Sequence, residues 1–463
     1  MMNKTSRGAW LVWGVAVFAY MVSVTQRTSF GVAGLDATER FNATAAVLGT
    51  FGVVQLVVYA ALQIPVGTLV DRFGSRWMIA IGAVLMAAGQ FVLALANDVV
   101  QGYVGRVLVG AGDAMTFVSV MRLVPAWFAP RMNPVMSQLT GTLGQVGQLV
   151  SLFPVAFLLG WRGWTTTFVS LAAMSVLACA LTVIAVRDFP AGKRPSHSGG
   201  QRLSLLSQIK AVAVSPGTWL GFWTHWLGAF SINVFLLVWG YPYLVSGMGY
   251  SPAQASTVMS MFVFVAMVFG PILGVLVARF PYRRSLMVIL ISMAGLACWV
   301  ALIVWPGGAP LWMNFLAAFV LACGGPASMI AFDFTRTENP AHVAGTATGV
   351  ANVGSFSGGL IAIGGVGFVL DAVAGHPDAA GADAGGALYT LEGFQLAFTV
   401  VLAIFVIGNI GFFISLRLVR RRYPDYAPLR RVFMQQIRAR RRLNKAGLDS
   451  SGLGIKARGH RST

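Results

Sequence analysis

The chain alternates long apolar runs with short polar breaks. Six runs come first, at about Trp10–Ala33, Thr44–Gly67, Trp77–Ala96, Gly102–Trp127, Ser137–Leu159 and Thr165–Val186. Six more follow, at about Gly217–Leu244, Pro252–Val277, Ser285–Trp305, Leu311–Ile330, Thr346–Leu370 and Phe394–Ile414. Each reaches the ~20 residues a helix needs to cross ~30 Å of hydrocarbon. The polar interval Arg187–Ser215 divides the runs six and six. The pattern predicts an all-α integral membrane protein with twelve transmembrane helices in two pseudo-symmetric six-helix bundles. The bundles are expected at 1–187 and 217–416, with a connector at 188–216 and a basic tail at 417–463.

Composition agrees with lipid rather than water as the host. The chain is 57% hydrophobic and 10% charged, with a mean hydropathy of +0.74, against about 25% charged for a soluble domain. The formal charge of +19 points to topology more than to nucleic acid. Fourteen of the 33 Lys and Arg follow residue 416, and most others sit in loops on alternate sides of the apolar runs. With the amino terminus inside, 29 fall on the cytoplasmic side, Arg40 and Arg162 fall outside, and Arg27 and Arg106 lie at membrane depth. A multi-pass protein of the inner (cytoplasmic) membrane with both termini cytoplasmic is expected. The tail from Arg417 is either an ordinary positive-inside anchor or a surface helix held by anionic lipid. The start, "MMNKTSRGAW", has no convincing small-residue cleavage site and is not expected to be a cleaved signal. Cys179, Cys298 and Cys323 fall in apolar runs without metal spacing, so no metal or other cofactor is expected. The sequence has no GxxxxGK[ST] loop, which argues against an ATP-hydrolysing enzyme and for a protein that draws on a gradient.

One charged, glycine-punctuated stretch stands between the second and third runs: Gly67–Arg76, "GTLVDRFGSR". Its Gly67, Leu69, Asp71, Arg72, Gly74 and Arg76 resemble the loop between helices 2 and 3 of major facilitator superfamily transporters. The resemblance covers roughly residues 8–420. A faint second copy, Gly270–Arg284, lies between runs 8 and 9 without a carboxylate matching Asp71. Internal symmetry of this kind underlies alternating-access carriers. The resemblance implies a non-enzymatic secondary transporter, expected to work as a monomer. It also implies that Asp71 meets the amino-terminal end of a helix in the opposite half and a nearby arginine, holding the outward-facing state. Unpaired N–H groups and the helix dipole favour such a contact. Arg122, at the inner end of run 4, is a reasonable partner. In the second half Asp333 and Arg336, three apart, can pair, and with Glu338 they resemble a gate network.

Ionisable groups at membrane depth are costly and point to function. Arg106 and Asp113 are seven apart, so they share a helix face but stand ~10 Å apart along the axis and cannot pair directly. Asp113 suits proton coupling, or else forms a permanent ion pair with one of the arginines. Arg106, in "RVLVGAGDA", resembles the family's helix 4 pattern, associated there with proton transfer or structural support. Arg27 either binds an anionic solute or snorkels outward beside Asp36 and Glu39. Polar candidates for a solute pathway are Gln55, Gln145, Gln148, His225, Asn233 and Asn352. His225 either titrates there or is a satisfied, packed histidine. The expected activity is proton-coupled transport of a small polar or organic anionic solute, with solute, protons and membrane lipid as partners and no nucleic acid. A proton-driven exporter of amphipathic compounds and a non-transporting membrane sensor are the alternatives. Gln145 follows Gly144 where drug/proton antiporters carry a Gly-Pro pair, which counts against the exporter.

Overall fold

A computed structural model describes residues 7–42, 45–191, 204–374 and 390–422. Every regular element among them is helical. The first half contains α1 (Arg7–Val32), α2 (Gly34–Phe41), α3 (Ala45–Phe73), α4 (Ser75–Leu95), α5 (Val99–Trp127), α6 (Asn133–Val150) and α7 (Ala156–Ala185). A short helix, α8 (Leu205–Ala213), precedes α9 (Pro216–Ile232), α10 (Gly240–Pro242), α11 (Pro252–Arg279) and α12 (Arg284–Val304). The chain continues through α13 (Leu311–Ala322), α14 (Gly324–Ser328), α15 (Ile330–Glu338), α16 (Ala344–Ala374) and α17 (Leu391–Arg422). Among the described residues ten helical stretches are long and apolar enough to cross a membrane. The number is eleven if Pro216–Leu236 and Gly240–Gly247, bent by 54°, count as one. The described residues up to Leu416 form one compact unit.

Local chemistry fixes the helix starts. Asp98 caps α5 by accepting from Gln101 N at 2.8 Å. Ser251 and Gln254 make a reciprocal capping box ahead of α11, with Pro252 at its first position. Three features depart from the hydropathy reading. First, Gly67–Arg76 is not a loop throughout: α3 runs on to Phe73, and only Gly74, at φ 87°, interrupts the helix before Ser75. Buried Val66 and Val70 hold the extra turns. Second, Asn133–Ala185 reads as one helical stretch of 53 residues, broken where Gly163 adopts φ 73°. Third, the polar connector contains α8, capped by Ser204, whose side chain accepts from Ser207 N at 3.2 Å. Its Val212 is buried with Val343 and Ala347. The expected connector residues 192–203, most of the loop between runs 11 and 12, and the basic tail beyond 422 lie outside the described residues.

Helix α16 packs on both α9 and α3, and α6 packs on α11, so the two sequence halves meet along these helices. The α3–α16 approach is close. A Cβ on Gly67 would lie 2.6 Å from the Gly345 carbonyl oxygen, which only glycine avoids.

Candidate functional site

Asp71 sits at the α3–α16 junction with its side chain 2% exposed. Its Oδ1 accepts from Gly345 N at 2.9 Å, and its Oδ2 accepts from Thr346 N at 2.8 Å and Thr346 Oγ1 at 3.0 Å. The carboxylate therefore caps α16, whose first-turn N–H groups have no partner within the helix. Arg122 Nε lies 3.6 Å from Asp71 Oδ1, and Arg122 Nη1 lies 3.6 Å from Asp188 Oδ1. Asp188 in turn accepts from the Ser75 and Arg76 amides at the start of α4. Arg76 donates to the Val183 carbonyl, while Arg72 is exposed beside Phe73. In the second half Asp333 pairs with Arg336. Arg284 Nη2 donates to Glu338 Oε1 at 3.2 Å and to Thr337 Oγ1 at 2.7 Å.

Deeper between α1 and α5, Arg27 grips Asp113 in a bidentate contact, Nε to Oδ2 at 2.7 Å and Nη2 to Oδ1 at 3.0 Å. Ser23 also donates to Asp113. Of the two arginines at membrane depth it is thus Arg27 that pairs with Asp113, and the snorkelling alternative for Arg27 is replaced by this pair. The Arg27 guanidinium stacks over the Tyr59 ring, 4.9 Å from its centre. Arg106 is 2% exposed and donates from Nη2 to the Arg27 carbonyl at 3.2 Å, with Phe30 facing its guanidinium. From Tyr59 a polar chain crosses to the other half: Asn352 Nδ2 donates to the Tyr59 hydroxyl at 3.1 Å and to Gln63 Oε1 at 2.7 Å. Beyond it, His225 Nε2 lies 3.0 Å from Asn352 Oδ1.

The Major Facilitator Superfamily model matches residues 16–363. The chain belongs to the Major Facilitator Superfamily. It is a multi-pass integral membrane protein of that superfamily of transporters, and not an enzyme. Among curated proteins it is 26% identical over 167 residues to the uncharacterized transporter YybO of Bacillus subtilis (strain 168), covering 36% of this chain and 38% of that one. It is 26% identical over 236 residues to the nitrite extrusion protein of the same organism, covering 50% and 56%. It is 25% identical over 342 residues to the putative multidrug resistance protein MdtD of Yersinia pseudotuberculosis serotype I (strain IP32953), covering 62% and 71%. The chain thus spans between about two-fifths and just over half the length of the first two relatives. Its fold is similar to the proton:xylose symporter XylE bound to 6-bromo-6-deoxy-D-glucose, with a TM-score of 0.62 and 16% identity, covering 88% of this chain and 96% of that one.

Within this superfamily member the predicted polar residues do not all converge. Arg27, Asp113 and Arg106 lie together, and His225 and Asn352 share the chain that reaches Tyr59. Gln55 is buried with both amide atoms lacking a hydrogen-bond partner among the described residues. Asn233 Nδ2 donates to Ser355 Oγ at 3.4 Å. Gln145 is exposed and Gln148 half-buried on α6, and among the described residues neither hydrogen-bonds to the Arg27 cluster. Sequence reasoning missed Ser23, Tyr59 and Asp188, and gave Gln63 and Arg284 no place in a site. Asp188 left one signal, a carboxylate directly after the last run of the first half.

Proposed function

We propose that this protein is a proton-coupled secondary transporter that moves a small polar or organic anionic solute across the inner membrane by alternating access. The observation that carries the reading is the Arg27 guanidinium: its partner Asp113 is wholly buried, yet Arg27 keeps 22% of its side chain exposed. A guanidinium with one edge taken by a carboxylate still offers N–H donors to a second anion. An anion bound there competes with Asp113 for Arg27, and a carboxylate released at membrane depth takes up a proton. Solute binding and protonation are then linked at one pair, with Arg106 and Asp113 as the coupling residues. Gln55, Gln145, Gln148, His225, Asn233 and Asn352 are the further candidates for lining the path. The nitrite extrusion protein, named for an anion, supports the class of solute. The likeness to MdtD supports a second reading, export of amphipathic compounds.

Alternating access needs two halves and a junction that opens. A 53-residue helix would run ~80 Å against ~30 Å of hydrocarbon, so Asn133–Ala185 is read as two spans hinged at Gly163. With the bent pair counted as one, the spans number twelve. They form bundles 1–187 and 217–416 about the connector 188–216, with both termini cytoplasmic and the tail 417–463 available to anionic lipid. The protein acts as a monomer. Gly67, Asp71, Arg72, Gly74, Arg76 and Arg122 form the cytoplasmic gate, with Asp333 and Arg336 its second-half counterpart. The α3–α16 contacts from Tyr59 to Asp71 extend ~18 Å, which fits an outward-facing state closed on the cytoplasmic side.

The test is uptake into proteoliposomes with an imposed pH gradient, offering nitrite, small carboxylates and sulfonates beside cationic amphipathic dyes. Gradient-driven accumulation of an anion, lost in Arg27→Gln, supports the reading. Movement of the dyes alone would replace it with the exporter.

A further inference from the structure

Helix α1 brings a second polar group to the Arg27 guanidinium. Tyr20 and Arg27 are seven residues apart, which leaves them ~20° apart around the helix and ~10 Å apart along it. Long helical side chains lean toward the helix start, so Arg27 reaches back over the turn that carries Ser23 and meets the Tyr20 hydroxyl. Tyr20 is 8% exposed, and its ring is held from two sides. Phe117, one turn beyond Asp113 on α5, packs against it with ring centres 5.2 Å apart. On α6, a Cβ at Gly144 would run into Tyr20 Cε1 and lie 2.7 Å from Cδ1. Only glycine at 144 leaves the ring this place. A tyrosine hydroxyl both accepts and donates. Its oxygen faces a guanidinium, which can only donate, so the O–H is directed to some other group. Among the described residues no acceptor takes that proton: the carboxylate at hand, Asp113, is bonded by Ser23 and Arg27.

We infer that Tyr20 is a solute ligand beside Arg27, its O–H donating to one oxygen of a small oxoanion while the guanidinium donates to another, and that Gly144 positions its ring. Asp113 occupies Nε and one N–H of Nη2, which leaves the Nη1 edge of the guanidinium to the anion. A guanidinium holds an anion largely by charge. The phenol adds a directed donor fixed by Phe117 and Gly144, so the pair favours an anion with two acceptor oxygens on one centre, such as a carboxylate, nitrite or a sulfonate, over chloride. This inference rests on the reading that the solute anion binds at Arg27, and it adds the residue that selects among anions there.

The test titrates the full chain in detergent with nitrite, glycolate, methanesulfonate and chloride at constant ionic strength, reading binding from the rise in unfolding midpoint, and follows exchange of the same anions in proteoliposomes. Tyr20→Phe keeps the ring between Phe117 and Gly144 and removes only the O–H. For an oxoanion that the parent binds, it should raise the apparent Kd and the half-saturating concentration for exchange about 10-fold or more. The maximal exchange rate and the midpoint without anion should stay near the parent, and chloride affinity should change less. Gly144→Ala should weaken oxoanion binding through the displaced ring. Combining it with Tyr20→Ala should recover part of the midpoint and none of the affinity. Unchanged affinity in Tyr20→Phe, for an anion whose binding Arg27→Gln abolishes, overturns the inference and leaves the transport reading standing. Equal losses for chloride and the oxoanions overturn the selective role. Tyrosine-dependent binding without gradient-driven uptake supports the inference and removes the transport reading. Binding of none of these anions by the parent overturns both.

Discussion

Asp71 and Thr346 stand 275 residues apart and are joined twice, the Thr346 amide and hydroxyl both donating to Asp71 Oδ2 at 2.8 and 3.0 Å. A charged acceptor at a helix start gains from the N–H groups and from the dipole. Asp71→Asn keeps the size and removes the charge. Hydrogen bonds to charged groups contribute about 1.5–3 kcal/mol, so the closed population should fall roughly tenfold or more with expression near normal. Spin-label distances across the Asp71 end measure this. An unchanged distribution would mean that the junction is held by packing and not by this carboxylate.

Packing at the same place has its own test. A methyl group at residue 67 would press on the Gly345 carbonyl and on Thr346 Cα, at 2.6 and 2.9 Å. Backbone cannot swing away as a side-chain tip can, and overpacking costs about 1–3 kcal/mol. Gly67→Ala should therefore open the Asp71 end to an extent comparable with Asp71→Asn. Gly160→Ala, where a Cβ meets nothing within 4 Å, should leave the distance distribution as in the parent.

How much of this was legible in the sequence depended on range. Long apolar runs announce spans because a bilayer asks little more than length and hydropathy. The Asp71 stretch announced itself by family resemblance. Spacing along α5 separated Arg106 from Asp113, since helix geometry is local. It could not say that Arg27 would take the carboxylate, because that depends on how α1 and α5 are rotated toward each other. Nor did hydropathy reveal that α3 continues through Arg72: a charged residue on the exposed face of a final turn looks like loop. Helix α8 was hidden in the same way, nine residues being too short to show against a polar connector.

Topology gives a prediction on the 53-residue stretch. If the chain turns at Gly163, Arg162 lies outside and the connector inside. In a background with Cys179, Cys298 and Cys323 replaced by Ala, Arg162→Cys should react with a membrane-impermeant thiol reagent on intact cells. Ser198→Cys should react only after the cells are opened. Labelling of both from the outside would remove the proposed twelve-span arrangement.

The Arg27–Asp113 pair separates a structural role from a coupling one. Removing one partner of a buried pair leaves an uncompensated charge and typically costs about 3–5 kcal/mol, while neutralising both together can be nearly neutral. Arg27→Gln should therefore lower thermal stability in detergent more than the double variant Arg27→Gln with Asp113→Asn. That comparison concerns the fold alone. For coupling, Asp113→Asn keeps Ser23 and the shape of the site but cannot carry the proton. It should abolish accumulation driven by a pH gradient while retaining solute exchange without a gradient, because binding and rocking survive. Loss of both activities from a stable, monodisperse variant would mean that the pair serves solute binding or rocking itself. Undiminished gradient-driven uptake would remove Asp113 from the coupling path. Arg27→Lys completes the set: an ammonium keeps the charge but cannot make the bidentate contact. It should hold stability closer to the parent than Arg27→Gln does, while weakening apparent solute affinity in the exchange assay.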